Sequence, residues 1–383
     1  MAFFRNSAVN LLNAHYGIHA LAISGGGVFY AAYLLKAGVS APLVLAAMAA
    51  IFAGRFAIRP FIVLAARRVG LKPLVIVGAL ICAVEFPILA QVRGLDAALA
   101  ALILVSSVGD TVYWTSYHAY FAALGDPEHR GHQISVREAI AAVVGIVGPL
   151  AGGWALATLG PGPAFGATAV VMAASALPLI SAPNVPVTWS EPGAFRAALS
   201  GFRMFVADGI NSTGFAVIWP IALFLTLGEN YEVFGGAMAL AAVAGAVSGM
   251  LLGRAIDLGH GSRAVWIGVG SMAALTALRA AFATHPVMAV VANAIGPFAT
   301  AVYTPVLMTA VYNNAKAAPC VLRFHIATEG GFDAGASLAL LTGAGLVWAG
   351  VPIGLTSLIS LIGLAANGAM LRGYYGRAAV QPA

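Results

Sequence analysis

The stretch Arg67-Arg-Val-Gly-Leu-Lys72-Pro-Leu-Val-Ile-Val-Gly-Ala-Leu-Ile-Cys82-Ala-Val-Glu85-Phe-Pro-Ile-Leu-Ala90 decides the fold of this chain. Three basic residues precede an apolar run in which Glu85 is the only charge. As helix, at about 1.5 Å per residue, such a run covers most of a hydrocarbon core of about 30 Å. The pattern recurs along the chain. Apolar spans are expected near 11–35, 41–65, 72–91, 97–122, 135–158, 164–183, 204–227, 233–254, 263–283, 286–312, 322–348 and 351–372. Charged residues are only 8% of the composition, about a third of the share in a soluble domain. A water-soluble protein of this size cannot hide that much apolar surface. The expected class is therefore an all-α membrane protein with twelve transmembrane helices.

Outside the spans the basic residues fall on one side. With both termini cytoplasmic, the inner loops and tails hold Arg5, Arg67, Arg68, Lys72, Arg130, Arg137, Arg196, Arg203, Arg254, Arg263, Lys316, Arg323, Arg372 and Arg377. The outer loops hold only Lys36 and Arg93. Cytoplasmic enrichment of Lys and Arg is the main topology signal, and an odd number of spans would destroy it. The pI near 9.5 follows from basic loops beside an anionic leaflet, so no nucleic-acid partner is needed. The expected location is a bacterial-type cytoplasmic (inner) membrane, multi-pass, with the lipid bilayer as partner. Cys82 and Cys320 are too few and too far apart for a disulfide framework or metal site. They read as small apolar filler.

The segment Pro183-Asn-Val-Pro-Val-Thr-Trp-Ser-Glu-Pro-Gly193 divides the chain. Three prolines and a polar cluster mark a linker, with six spans on either side. The expected domains are 1–183, an N-terminal six-helix bundle, and 204–383, a C-terminal one, joined by a cytoplasmic linker at 184–203. Gly193 to Phe205 has an amphipathic look and is expected on the cytoplasmic membrane surface. The halves correspond at an offset of about 190 residues: Glu138 falls opposite Glu329 and Tyr113 opposite Tyr303. Six spans preserve orientation, so these are parallel repeats about an axis along the membrane normal.

Several ionisable groups fall within spans, where they are costly and usually face a cavity or a partner. Arg55 and Arg59 lie four apart in span 2 and share a helix face. Glu85, Asp110 and Asp208 are the acids that would pair with them. An anionic substrate is the other reading. His15 and His19, four apart in span 1, suit a cavity lining or proton coupling. A single HxxxH pair is a weak metal signal, and no metal or other cofactor is expected. In span 4, Asp110, Tyr113, Trp114, Tyr117 and His118 form one helical stripe. Such a face suits an amphipathic organic ligand, though helix packing is an equal reading. Asp208 and Asn211 in span 7 occupy the region repeat-related to span 1. Glu329 and Asp333 in span 11 are again four apart, a proton-coupling pair or partners for basic residues at a gate. Expected proton-coupling residues are thus His15, Asp110, Asp208, Glu329 and Asp333. Arg279 is a further buried exception to the basic-loop pattern.

Two motifs give the chain a resemblance to the major facilitator superfamily, over essentially its whole length. Gly253-Arg-Ala-Ile-Asp257-Leu-Gly-His-Gly261, after span 8, is similar to the family's G-x-x-x-D-x-x-x-G loop. Gly148-Pro149-Leu-Ala-Gly152-Gly153 in span 5 resembles the GPxxGG portion of a proton-coupled exporter motif. Close helix packing alone would also explain these small residues. In the first-half loop, Arg67 stands where the family has Asp, while Gly70 and Lys72 persist. Val144 stands where a glycine is expected. The resemblance implies two six-helix bundles, a substrate path between them and alternating access. It further implies gate contacts from the loop after span 8 to span 5, and from the loop after span 2 to span 11. Asp257 would then pair with Arg137, next to Glu138, and Arg67 or Arg68 with Glu329.

The function expected is secondary active transport of a small-molecule substrate, coupled to protons. Export of a small amphipathic organic solute is favoured over uptake of an organic anion. An intramembrane metal enzyme or a transport-dead sensor is remote, and a monomer is expected. No G-x-x-x-x-G-K-[ST] phosphate loop is present, so ATP is not the direct energy source. The gate pairing gives a test. Arg137→Glu combined with Asp257→Arg should restore transport lost in either single variant. A purely additive loss in proteoliposome assays would reject the pair.

Overall fold

The computed structural model describes residues 6–124, 130–187, 193–256 and 261–378. Every regular element among the described residues is helical. Twelve are long and apolar enough to cross a membrane: α1 (Ser7–Lys36), α2 (Ala41–Val69), α3 (Leu71–Leu89), α4 (Ala97–Leu124), α5 (Arg130–Thr158), α6 (Pro161–Ile180), α7 (Ala194–Thr226), α8 (Tyr231–Ile256), α9 (Gly261–Phe282), α10 (Pro286–Ala317), α11 (Val321–Trp348) and α12 (Ile353–Gly376). Helices are what hydrocarbon permits, because each satisfies its own backbone groups.

One expectation is corrected. The Gly193–Phe205 stretch is not a separate surface segment but the first turns of α7. Ala194, Ala198 and Gly201 are buried while Arg196 and Arg203 are exposed. Its apolar face is used against protein: a Cβ on Gly201 would sit 2.4 Å from Phe324 and Thr328 of α11.

The same helix pairs recur in the two halves of the chain. α1 packs on α5 as α7 packs on α11; α3 packs on α4 and α6 as α9 packs on α10 and α12. The compact units do not follow chain order strictly. One comprises Met1–Val39, Ala53–Trp189 and Asn230–Ala239; the other comprises Ser40–Phe52, Ser190–Glu229 and Leu240–Ala383. In the first unit, Gly148 and Gly152 of α5 face Ser24 and Gly25 of α1, and Gly153 faces the Tyr231 carbonyl. In the second, Gly331 and Gly335 of α11 lie against the Phe202 and Val206 carbonyls of α7. Ser337 donates to the Ala49 carbonyl at 3.0 Å. Apolar tails gain nothing by leaving lipid for protein, so close backbone approach at small residues carries much of this association.

Helix breaks have identifiable causes. Pro178 has no N–H, and the Leu179 N–H turns to Ala176, so α6 tightens at Ser175 and the Ser175 carbonyl is released. In α7 a π-helical segment, Gly214–Ile218, precedes Pro220, the kind of distortion often found at functional sites.

Gly152 gives a direct test of the packing argument. A Cβ there would lie 1.7 Å from the Gly25 carbonyl oxygen. Gly152→Ala should cost about 1–3 kcal/mol through overpacking. Gly166→Ala, with nothing within 4 Å, should leave the melting temperature in detergent unchanged. Equal melting temperatures for both variants would refute the close-approach account.

Candidate functional site

The carbonyl released at Ser175 is taken up by α1. His15 Nδ1 lies 2.7 Å from Ser175 O, and since a carbonyl only accepts, Nδ1 carries the proton. In neutral imidazole Nε2 is then the acceptor, and Tyr113 Oη of α4 donates to it at 3.0 Å. His15 is fully buried. His19, one turn on, stacks flat on the Tyr113 ring, centroids 4.0 Å apart, with Trp114 edge-on at 5.6 Å. A Cβ on Gly78 of α3 would meet the Tyr113 backbone at 2.6 Å, so this glycine lets α4 seat close to α3. The result is a polar triad, His15–Tyr113–Ser175, on the first, fourth and sixth helices.

An equivalent triad stands on the seventh, tenth and twelfth. The Asp208 carboxyl is hydrogen-bonded to Tyr303 and Ser212. Tyr303 Oη lies 2.9 Å from the side-chain amide of Asn367. Oriented to satisfy its neighbours, that amide accepts from Tyr303 Oη and from the Asp208 N–H at 3.3 Å, and donates to Met204 O at 3.0 Å. Asn211 and Asn367 are fully buried. Gly268 of α9 abuts the Tyr303 Cα, as Gly78 abuts Tyr113.

A third cluster has no counterpart in the second half. Arg55 Nη1 of α2 pairs with Asp110 Oδ2 of α4 at 3.3 Å; the side chains are 14% and 28% exposed. Arg59, one turn on and buried, donates to Thr115 Oγ1 at 2.8 Å. Both arginines of the shared face therefore reach α4. Glu85 of α3 is buried, bonded to Ser106 and to the Cys82 thiol. Its Oε1 has no partner among the described residues. One donor atom each from Cys82, Glu85 and Asp110 lies within 4.8 Å of the others. That spacing would admit a small cation, but the Arg55 guanidinium on Asp110 opposes a second positive charge there.

The remaining sequence candidates are placed as follows. Tyr117 is fully buried and stacked on Tyr113, centroids 5.6 Å apart. Trp114 is half-buried and His118 exposed. Asp333 is buried and Glu329 half-buried, both on α11. The Arg137 guanidinium lies over the Tyr16 and Phe121 rings, at 5.3 and 5.1 Å, a cation–π arrangement. Arg67 is exposed at the end of α2. Gly70, with φ of 83°, starts α3, and Asn184 spans this turn: its Oδ1 accepts from Lys72 N at 3.2 Å and its Nδ2 donates to Val69 O at 2.9 Å. Lys72 Nζ reaches the Ile180 and Ala182 carbonyls at 3.3 and 2.9 Å. Asp257 lies outside the described residues, as do the side chain of Glu138 and the surroundings of Gly253.

Sequence reasoning passed over Cys82, Thr115, Ser175 and Asn367. Cys82 read as filler because nothing local marks its neighbours on α4. Ser175 and Asn367 carry a detectable signal. They correspond at the same offset of about 190 residues that pairs Tyr113 with Tyr303.

Comparison with known proteins agrees with this architecture. The crystal structure of PepTSo, a transporter of the POT family, superposes with a TM-score of 0.70. The alignment covers 98% of this chain and 99% of that one at 10% identity, a likeness of fold alone. No curated protein sequence matches the chain. The family model described as Major Facilitator Superfamily matches residues 15–206. With this match over half its length, and twelve spans packed as repeated sets, the chain belongs to the Major Facilitator Superfamily.

Proposed function

We propose that this protein is a proton-coupled secondary transporter that exports a small amphipathic organic solute by alternating access. Family and fold support secondary transport. The observation that carries proton coupling is the Arg55–Asp110–Glu85 cluster. It sets one permanent cation beside two carboxyl groups within spans. Two carboxylates at such a distance repel, and a lone net charge in apolar surroundings is costly. Neutrality is reached when the two carboxyls share one proton. Asp110 is the more exposed of the two and Glu85 the more buried, so a proton arriving at Asp110 weakens the Arg55 pair. Loss of that pair leaves Arg59–Thr115 as the remaining polar tie between these side chains of α2 and α4, a weakening that can bias two conformations.

The half-buried Trp114 and exposed His118 at the edge of the aromatic stripe support a ligand with an apolar, partly aromatic surface. Uptake of an organic anion is less well supported, because Arg55 and Arg59 are engaged by Asp110 and Thr115. The one-sided basic loops favour a cytoplasmic-membrane protein with both ends inside.

Proteoliposomes separate these readings. Wild-type protein should drive solute movement with an imposed pH gradient, in the direction opposite to protons. Asp110→Asn and Glu85→Gln should lower gradient-driven transport at least about tenfold, the scale of losing one coupling interaction of about 1.4 kcal/mol, while leaving solute counterflow intact. Gradient-driven transport at wild-type rate in both variants would reject the coupling site. Solute moving with the protons would reject export.

A further inference from the structure

Arg279 is the second of two charges on α9, the other being Arg263 at its opposite end. It lies three residues from the end of the span at Phe282, roughly 4.5 Å of helix rise. The residue is 6% exposed. Its guanidinium carbon sits 5.0 Å from the ring centroid of Trp219 on α7. The indole is itself fixed: Trp219 Nε1 donates to Asn293 Oδ1 of α10 at 3.0 Å. On α10, Gly296 makes room for the charge, since a Cβ there would lie 2.4 Å from Arg279 Nη2. Nε and Nη1 are buried and have no partner among the described residues. No described carboxylate is seen paired with this arginine.

A guanidinium is permanently charged and presents its N–H groups in a planar fork. Burial without an acid or an acceptor leaves those donors unsatisfied, and the ring face of Trp219 offsets only part of the cost. The fork matches the two oxygens of a carboxylate or phosphate. We infer that Arg279, backed by Trp219 and given room by Gly296, binds an oxyanion between α7, α9 and α10. The ligand is a carboxylate or phosphate group, reached from the adjacent end of the spans, where Thr226 of α7 bonds the Ala283 carbonyl beyond α9. It comes either from a soluble anion or from a lipid headgroup. The first half of the chain has no such group: Leu89 stands in the place of Arg279 and Ser106 in that of Gly296.

The test uses full-length protein, delipidated in a neutral detergent. Sodium phosphate and sodium acetate are titrated against sodium chloride at equal ionic strength, and phosphatidylglycerol micelles are titrated separately. Thermal unfolding and Trp219 emission, taken as wild type minus Trp219→Phe, are read together. A bound oxyanion should raise the melting temperature by at least about 2 °C and shift the Trp219 emission. A response to free anions identifies a soluble ligand; a response to phosphatidylglycerol alone identifies a lipid headgroup. Arg279→Met fills the site with an apolar chain of similar length. It should fold with equal or higher anion-free stability and lose the response, and Gly296→Ala should weaken it at least about threefold in apparent affinity. No response in wild type to any of the three probes, or an undiminished one in Arg279→Met, would overturn the inference.

Discussion

Hydrocarbon offers no hydrogen-bond partner, and the helices, their breaks and their polar contacts all follow from this. It makes every span a helix, since a helix closes its own backbone bonds. It also turns each broken backbone bond into a site. Pro178 removes a donor from α6, the Ser175 carbonyl is released, and His15 supplies the missing N–H. Once Nδ1 is committed as donor, Nε2 is the acceptor, and Tyr113 fills that role from α4. A helix defect, a tautomer and an interhelical contact thus follow one from another. At Asp208, Tyr303 and Asn367 the same demand is met with a carboxyl and an amide.

The two halves share this skeleton and differ in the charges laid over it. Gly78 and Gly268 hold Tyr113 and Tyr303 at equivalent places, so the close seat of the fourth and tenth helices is common to both. Arg55, Glu85 and Asp110 have Gly245, Leu275 and Thr300 at the corresponding positions. The Arg55–Glu85–Asp110 cluster therefore belongs to the first half alone. Duplication supplies two similar frames, and specialisation requires only a few polar substitutions within each, because the helix packing rests on glycines and small residues that these substitutions leave in place.

The number of spans, the six-plus-six arrangement and the repeat are legible in the order of residues. These rest on the length of apolar runs and on patterns that one chain carries whole. That order also marks Arg55 and Asp110 as in need of partners, since a charge within a span is conspicuous in composition. Helix packing then pairs them with each other, sends Arg59 to Thr115, and sets Cys82 and Glu85 beside Asp110. It likewise decides that α7 begins at Ala194, where an amphipathic pattern turns its apolar face to α11 rather than to lipid. The physical reason is the same in each case. Period and hydropathy say that a helix face is polar or apolar, but lipid, protein and ligand satisfy an apolar face alike. Which one does so depends on a neighbour far away in the chain.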